Sequence, residues 1–573
     1  MTTAQRILFL GLATVLCASL VHAQTAWSRP GEAQSTLVDG TAISTFPITV
    51  SSEDAQAWFN QGVLLLYGFN HGEAIRSFTE AAAHDPKAAM PWWGIAYANG
   101  MHINNPEMSE AQWKASYEAV QRGLALLDSE TELEHALMHA VAQRTAWPVP
   151  AEQRPYDEAF ARAMEEVYGR FSGHPDVAVL YAESLMNLQP WDYWTPDLRP
   201  MGRAEEIVRV LEGALRTHPE HPQACHLYIH AVEAGPYPAR GVAAAEALRD
   251  LRLSAGHLVH MPSHLFARVG RYPEAVTANE QAVHADDAYF RRGAEPGFYY
   301  LYHAHNLHFL AFAAMMEGQY AEAMAAARRL EKAVPEPMLD EIAWIAEGII
   351  PTTRHVMIRF GKWEDVLKEP APPAKRPVLL AMHHYSRGIA LSALGRTQEA
   401  RDEIARYREQ VKHVPGDWWV FSNKIHDVLP IGDAMLEGEL AYREGRLEEA
   451  WAALERGIAA EDRLVYDEPP GWVIPVRHAM GALLMEAGEY QRAETLYRED
   501  QLDHPRNGWS LLGLKQALEA QGIEEEAMRV AAMLNEAWKD LEERPSSSCA
   551  CAPLTAAGPG RDLAAGPPAH VQP

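Results

Sequence analysis

Apolar and polar residues along this chain follow a helical rhythm, and a short string, Gly-x-x-x-x-Ala, punctuates it at helix-turn-helix junctions. The string stands at Gly270…Ala275, Gly318…Ala323, Gly395…Ala400, Gly445…Ala450, Gly488…Ala493 and Gly522…Ala527, with Gly361…Val366 as a softened copy. Gly361 to Gly395 and Gly488 to Gly522 are both 34 residues apart, while the other intervals of 43 to 50 imply longer loops or inserted turns. Small residues at such junctions let two antiparallel helices approach closely. The pattern predicts an all-α chain, a superhelical solenoid of antiparallel helix pairs.

Residues 126–200 keep helical periodicity but lack the string, and Pro148, Pro150, Pro155, Pro190, Pro196 and Pro200 divide them into short helices and loops. The expected organisation is a leader at 1–23, an extension at 24–50, N-terminal hairpins at 51–125 and an irregular helical region at 126–200. Histidine-rich repeats at 201–340, C-terminal repeats at 341–544 and a disordered tail at 545–573 complete it.

The residues around the junctions carry a resemblance. From Ala55, the residues Trp58, Gly62, Ala74, Phe78, Ala81 and Pro86 fall on the signature positions of the tetratricopeptide repeat family. From Ile474, Gly481, Leu484, Ala493, Tyr497 and Pro505 do the same. In both stretches an aromatic fills the hole between neighbouring hairpins and a proline closes the second helix. The chain thus resembles the tetratricopeptide repeat (TPR) family over residues 55–122 and roughly 201–541. That resemblance implies a TPR-like architecture and is nearly silent about chemistry.

Charge and targeting narrow the setting. A formal net charge of −27 argues against nucleic acid and anionic membrane as partners. Arg6, the apolar stretch from Ile7 to Val21 and the small-residue site Val21-His22-Ala23 read as a secretory signal, so a periplasmic or secreted protein is expected, without a stable membrane anchor. Beyond that leader three cysteines remain, Cys225, Cys549 and Cys551, an odd number that cannot complete a disulfide framework, so disulfides are not expected to hold this fold together.

Histidine departs from a plain scaffold. Eleven of the 26 histidines lie between His218 and His308, where even scattering would place about four. His226, His230 and Glu233 stand at i, i+4 and i+7 of one helix; His257, His260 and His264 stand at i, i+3 and i+7 of the next hairpin. His305 and His308 follow at i, i+3 of a third. Aligning the repeats makes His257 equivalent to His305 and His260 equivalent to His308. In the tetratricopeptide family those first-helix positions line the concave surface, so the three sets are expected to converge in one groove.

Neutral imidazoles on adjacent turns bind transition metals, with copper or zinc favoured in an exported protein. Glu233 would supply an oxygen ligand or orient a ring from behind. Seven histidines and a carboxylate exceed one tetrahedral site, which leaves two neighbouring ions, or orienting and substrate-contacting roles for some of them. Cys225 and Met261 adjoin the cluster. His355 is a peripheral candidate, His383-His384 a surface pair, and His71 and His102 loop or capping residues. The segment from Tyr466 to Trp472 reads as a rigid proline-stopped loop. Neither a phosphate-binding Gly-x-x-x-x-Gly-Lys, a His-Glu-x-x-His helix, a Gly-x-Ser-x-Gly elbow nor a Cys-x-x-Cys-His haem motif occurs.

Two functions follow. One is an exported solenoid binding a transition metal through His226, His230, Glu233, His257, His260, His264, His305 and His308, with a metal-dependent, copper-type oxidoreductase as its enzymatic form. The other is a metal-free scaffold gripping a small molecule, peptide or protein partner in the same groove, with imidazoles spread along its wall.

Overall fold

The computed structural model describes residues 36–38, 46–292, 297–541 and 543–551. The leader at 1–23 and the tail from 552 onward lie outside the described residues. The architecture is all-α: a TPR-like succession of antiparallel helix pairs, with one two-residue β-hairpin pairing Trp419–Val420 with Asn423–Lys424 among the described residues. Two compact units divide it, one built from residues up to Leu310 with Ala333–Ile342, the other from Ala311–Lys332 with Ala343 onward.

The Gly-x-x-x-x-Ala string acts through its backbone. All seven glycines, from Gly270 to Gly522, have φ between 64° and 85°, a left-handed conformation in which a side chain would be strained. The residue after each glycine donates its N–H back across the helix end, as Arg271 does to Phe266 O (2.7 Å), Arg396 to Leu391 O (2.8 Å) and Ile523 to Leu518 O (2.9 Å). The chain is thereby reversed within one turn. Five residues on, Ala275, Ala323, Val366, Ala400, Ala450 and Ala493 are fully buried against the preceding helix.

The aromatic signature positions are sockets. Phe78, on the helix His71–His84, fills the space between Gly62 of its own hairpin and Gly94 of the next, and a Cβ on either glycine would collide with its ring. Tyr497 stands likewise between Gly481 and Gly513 in the second unit. The region 126–200 folds as Glu132–Ala142, Arg154–Arg170 and Pro175–Met186, followed by a loop up to the helix Ala204–Thr217.

One boundary shifts. Ser547, Ser548, Cys549 and Cys551 are buried, so the packed chain runs through Cys551 instead of ending near Pro545. Ser548 Oγ bonds Tyr497 Oη (2.6 Å) and donates to His478 O (3.0 Å), while Cys549 and Cys551 form a disulfide. Composition alone favoured disorder here because it does not show that these hydroxyls find buried partners. No helix among the described residues is long and apolar enough to cross a membrane.

Candidate metal centre

Four helices bring the histidines of the first unit together. His226 and His230 lie on Pro222–Val232, which begins with a proline at its first position. His257 and His260 lie on the short helix Gly256–His260, and His264 on Pro262–Arg268. The break at Met261 arises because Pro262 has no N–H to continue the ladder. His305 lies on Tyr300–Glu317.

The imidazoles form two groups of three. Ring nitrogens of His226, His230 and His257 lie within 4.8 Å of one another, and those of His260, His264 and His305 do the same. Five of these six side chains are at most 4% exposed, and His305 is half-buried. Ligands on a common ion at 2.0–2.1 Å sit about 3.3 Å apart, a contraction that side-chain torsions can supply.

Hydrogen bonding fixes which nitrogen faces inward. Gln223 Nε2 donates to Glu183 Oε2 (3.2 Å), so Gln223 Oε1 is left to accept from His226 Nδ1 (2.9 Å). Asn279 Nδ2 donates to Ala275 O (2.8 Å), so Asn279 Oδ1 accepts from His260 Nδ1 (2.7 Å). Glu233 accepts from two rings: from His230 Nδ1 at Oε1 (2.7 Å) and from His264 Nδ1 at Oε2 (2.5 Å). With four Nδ1–H groups committed to acceptors, the Nε2 lone pairs point into the groups. His226 Nε2, His230 Nε2 and both ring nitrogens of His257 are buried without a hydrogen-bond partner, an arrangement that costs about 1–3 kcal/mol per group unless something fills it. In the second group His260 Nε2 and His264 Nε2 face each other at 2.7 Å.

Burial favours the neutral form of five of the rings. Burial pushes the pKa values of His226, His257, His260 and His305 well below the ordinary imidazole range, and neighbouring rings lower them further. His230 is lowered by burial too, against the opposing pull of Glu233. Burial would raise the carboxyl of Glu233, but its interactions and hydrogen bonds with His264 and His230 hold it well below the usual carboxylate range. Neutral imidazole is the form that ligates metal.

Several expectations are corrected. Of the two roles open to Glu233, the geometry matches the orienting one, because each of its oxygens accepts from an Nδ1–H group. The predicted trio His257, His260 and His264 is divided, His257 joining the first group and the other two the second, on either side of the Pro262 break. His308 is buried but belongs to neither group. His303, next in sequence to the cluster, bonds Asp286 Oδ2 (3.3 Å) instead. Five of the six rings lie in packed interior, and His305 keeps partial exposure. Cys225 turns its thiol to Pro219 O (3.4 Å), and burial raises its pKa to about 12, so it contributes no thiolate.

Other residues escaped sequence reasoning. Gln223 stands three residues from His226, which it orients, a helical spacing visible in sequence, whereas Asn279 is on a later helix and gives no local sign. The first group is walled by Phe69, 4.8 Å from His226 and 5.2 Å from His257 between ring centres, by Trp191, 4.9 Å from His230, and by Tyr302, 4.7 Å from His257. Phe309 closes the second group, 5.3 Å from both His260 and His264. His71 opens the helix His71–His84 and His102 stands in a loop, as expected, but both are buried and packed together at 4.5 Å, with His102 stacked on Phe69. His383 is buried as well, contrary to a surface reading, and His384 bonds Glu403 (2.6 Å). His355 belongs to the second unit, where it packs on Trp472 at 5.1 Å. The loop from Tyr466 is pinned by Asp467, which accepts from Ser422 N (2.9 Å) and Asn423 Nδ2 (2.6 Å).

No family model matches the chain, and no curated protein does. Solved structures are similar only loosely. The human IFIT1 dimer with m7Gppp-AAAA is 12% identical, covering 91% of this chain and 100% of that one with a TM-score of 0.30. Yeast Tom70 is 12% identical over 86% and 93% of the two chains, with a TM-score of 0.27. The P58(IPK) TPR domain is 12% identical over 58% and 89%, with a TM-score of 0.17. Superpositions this loose transfer no function.

Proposed function

We propose that this chain is a metalloprotein whose first unit holds transition-metal ions in its two three-histidine groups, with copper favoured over zinc. One observation carries the reading: the Nδ1–H groups of His226, His230, His260 and His264 are each committed to an acceptor, which aims the Nε2 lone pairs at shared points in a buried interior. Metal-ligating histidines are characteristically held this way. An all-imidazole donor set with no thiolate suits copper, which also heads the affinity order for nitrogen sites. Three ligands leave one position open on a four-coordinate ion. An exported protein with a copper-type oxidoreductase activity is the functional setting that fits this site.

The partner-binding scaffold draws less support, because it needs imidazoles spread along an accessible wall. Elemental analysis of protein purified without a histidine tag tests the choice. Stoichiometric copper or zinc, with the second group's share lost in His260→Ala/His264→Ala, is the expected result. Metal-free protein that takes up neither ion on reconstitution would leave the scaffold as the better reading.

A further inference from the structure

The two groups are not spatially separate sites. Ring centres within them lie 4.6 to 6.1 Å apart. Across the boundary the distances are no longer: His230 to His264 is 5.8 Å, and His257 to His260 is 5.9 Å. The six imidazoles form one continuous shell, and Glu233 ties the halves together by accepting from a ring of each.

Charge adds a second constraint. Neutral imidazoles contribute none, and Glu233 brings a single negative charge to the shell. Two divalent ions would leave an excess of about three positive charges in a buried space, which is costly unless an anion enters. Each ion has an open coordination position, and two-metal sites commonly hold their ions about 3.5–4 Å apart. A single small anion placed between them fills both open positions and lowers the excess charge to about two.

Resting on the metal reading above, we propose that the two groups form one dinuclear centre whose ions share a small bridging anion of the hydroxide or azide class. The shell of six histidines then acts as a unit: three ligands to each ion, one carboxylate behind, and the exchangeable position between the ions.

Copper(II) is the probe, because it binds imidazole sites strongly whichever ion the protein carries natively. Full-length tag-free protein is loaded with it, its oxidation state is verified from the X-ray absorption edge, and copper per chain is compared with the integrated electron-spin signal. The expected result is two coppers per chain with most of the spin missing through coupling, and one azide bound per copper pair. His226→Ala, or His305→Ala should the first fail to fold, is expected to keep one copper and recover one full spin. One copper per wild-type chain, two coppers with two full spins, or one azide per copper would each overturn the dinuclear centre while leaving metal binding intact. No copper at all would overturn the metal reading and this inference together.

Discussion

His260 Nε2 lies 2.7 Å from His264 Nε2, although the Nδ1 of each ring already donates, to Asn279 and Glu233 respectively. Two lone-pair nitrogens repel at that distance unless something positive lies between them. A metal ion or a shared proton can play that part, and each excludes the other.

Metal uptake should therefore release protons. An ion entering the second group must displace any proton shared by His260 Nε2 and His264 Nε2. Calorimetric titration with copper(II) in buffers of different ionisation enthalpy should report about one proton released at this group near pH 7. Uptake with no proton release would contradict the arrangement.

The orienting residues separate the two groups. Replacing an outer hydrogen-bond partner typically weakens metal affinity about 10–100-fold. Gln223→Leu should weaken the first group, Asn279→Leu the second, and Glu233→Gln both. Competition with a chelator of known affinity reads the three patterns; equal losses in all three variants would remove the assigned roles.

Cys225→Ser should leave metal content unchanged, since the thiol faces Pro219 O. Elemental analysis decides. A variant that loses copper would return the thiol to the list of ligands.

Acid should destabilise the metal-free protein. Burial lowers the pKa of His71 to about 3 and those of His355 and His478 to about 4, against about 6.5 in an unfolded chain. Their contribution to stability is intact above pH 6.5 and is lost as pH falls toward 4, because the unfolded chain then binds more protons. Each adds a slope of up to ~1.4 kcal/mol per pH unit within that window. Apparent melting temperatures at a fixed scan rate should fall steadily from pH 7 to pH 5; a flat profile would show that these rings are hydrated.

Phe78→Ala should be among the costliest single changes, about 3–5 kcal/mol, because the ring fills the space facing both Gly62 and Gly94. Gly395→Ala should cost about 1–2 kcal/mol, since its φ is 73° while no atom stands near the added methyl. Chemical denaturation compares the two, and a milder effect at Phe78 would reverse the ranking expected from packing.

The repeat architecture was largely legible in the chain itself. Gly-x-x-x-x-Ala encodes a local event, a left-handed glycine followed by a small contact residue, and local events survive in sequence. Phe78 and Tyr497 were likewise marked by the glycines spaced to receive them. The histidines were marked too, because i, i+3 and i+4 spacings place side chains on one helix face whatever surrounds it.

What the sequence alone could not determine is how those faces meet. Helical spacing put His257, His260 and His264 on one stripe; the Pro262 break and the packing of Pro222–Val232 and Tyr300–Glu317 divided them between two groups. Glu233 looked like a ligand from its position beside His230, and only the approach of His264 from another helix occupied its second oxygen. Asn279, Phe309 and Trp191 became part of the site solely through long-range packing. Periodicity is a property of one helix, whereas a coordination shell is a property of several, so the amino-acid order supplied the donors and tertiary structure decided their grouping, tautomers and burial.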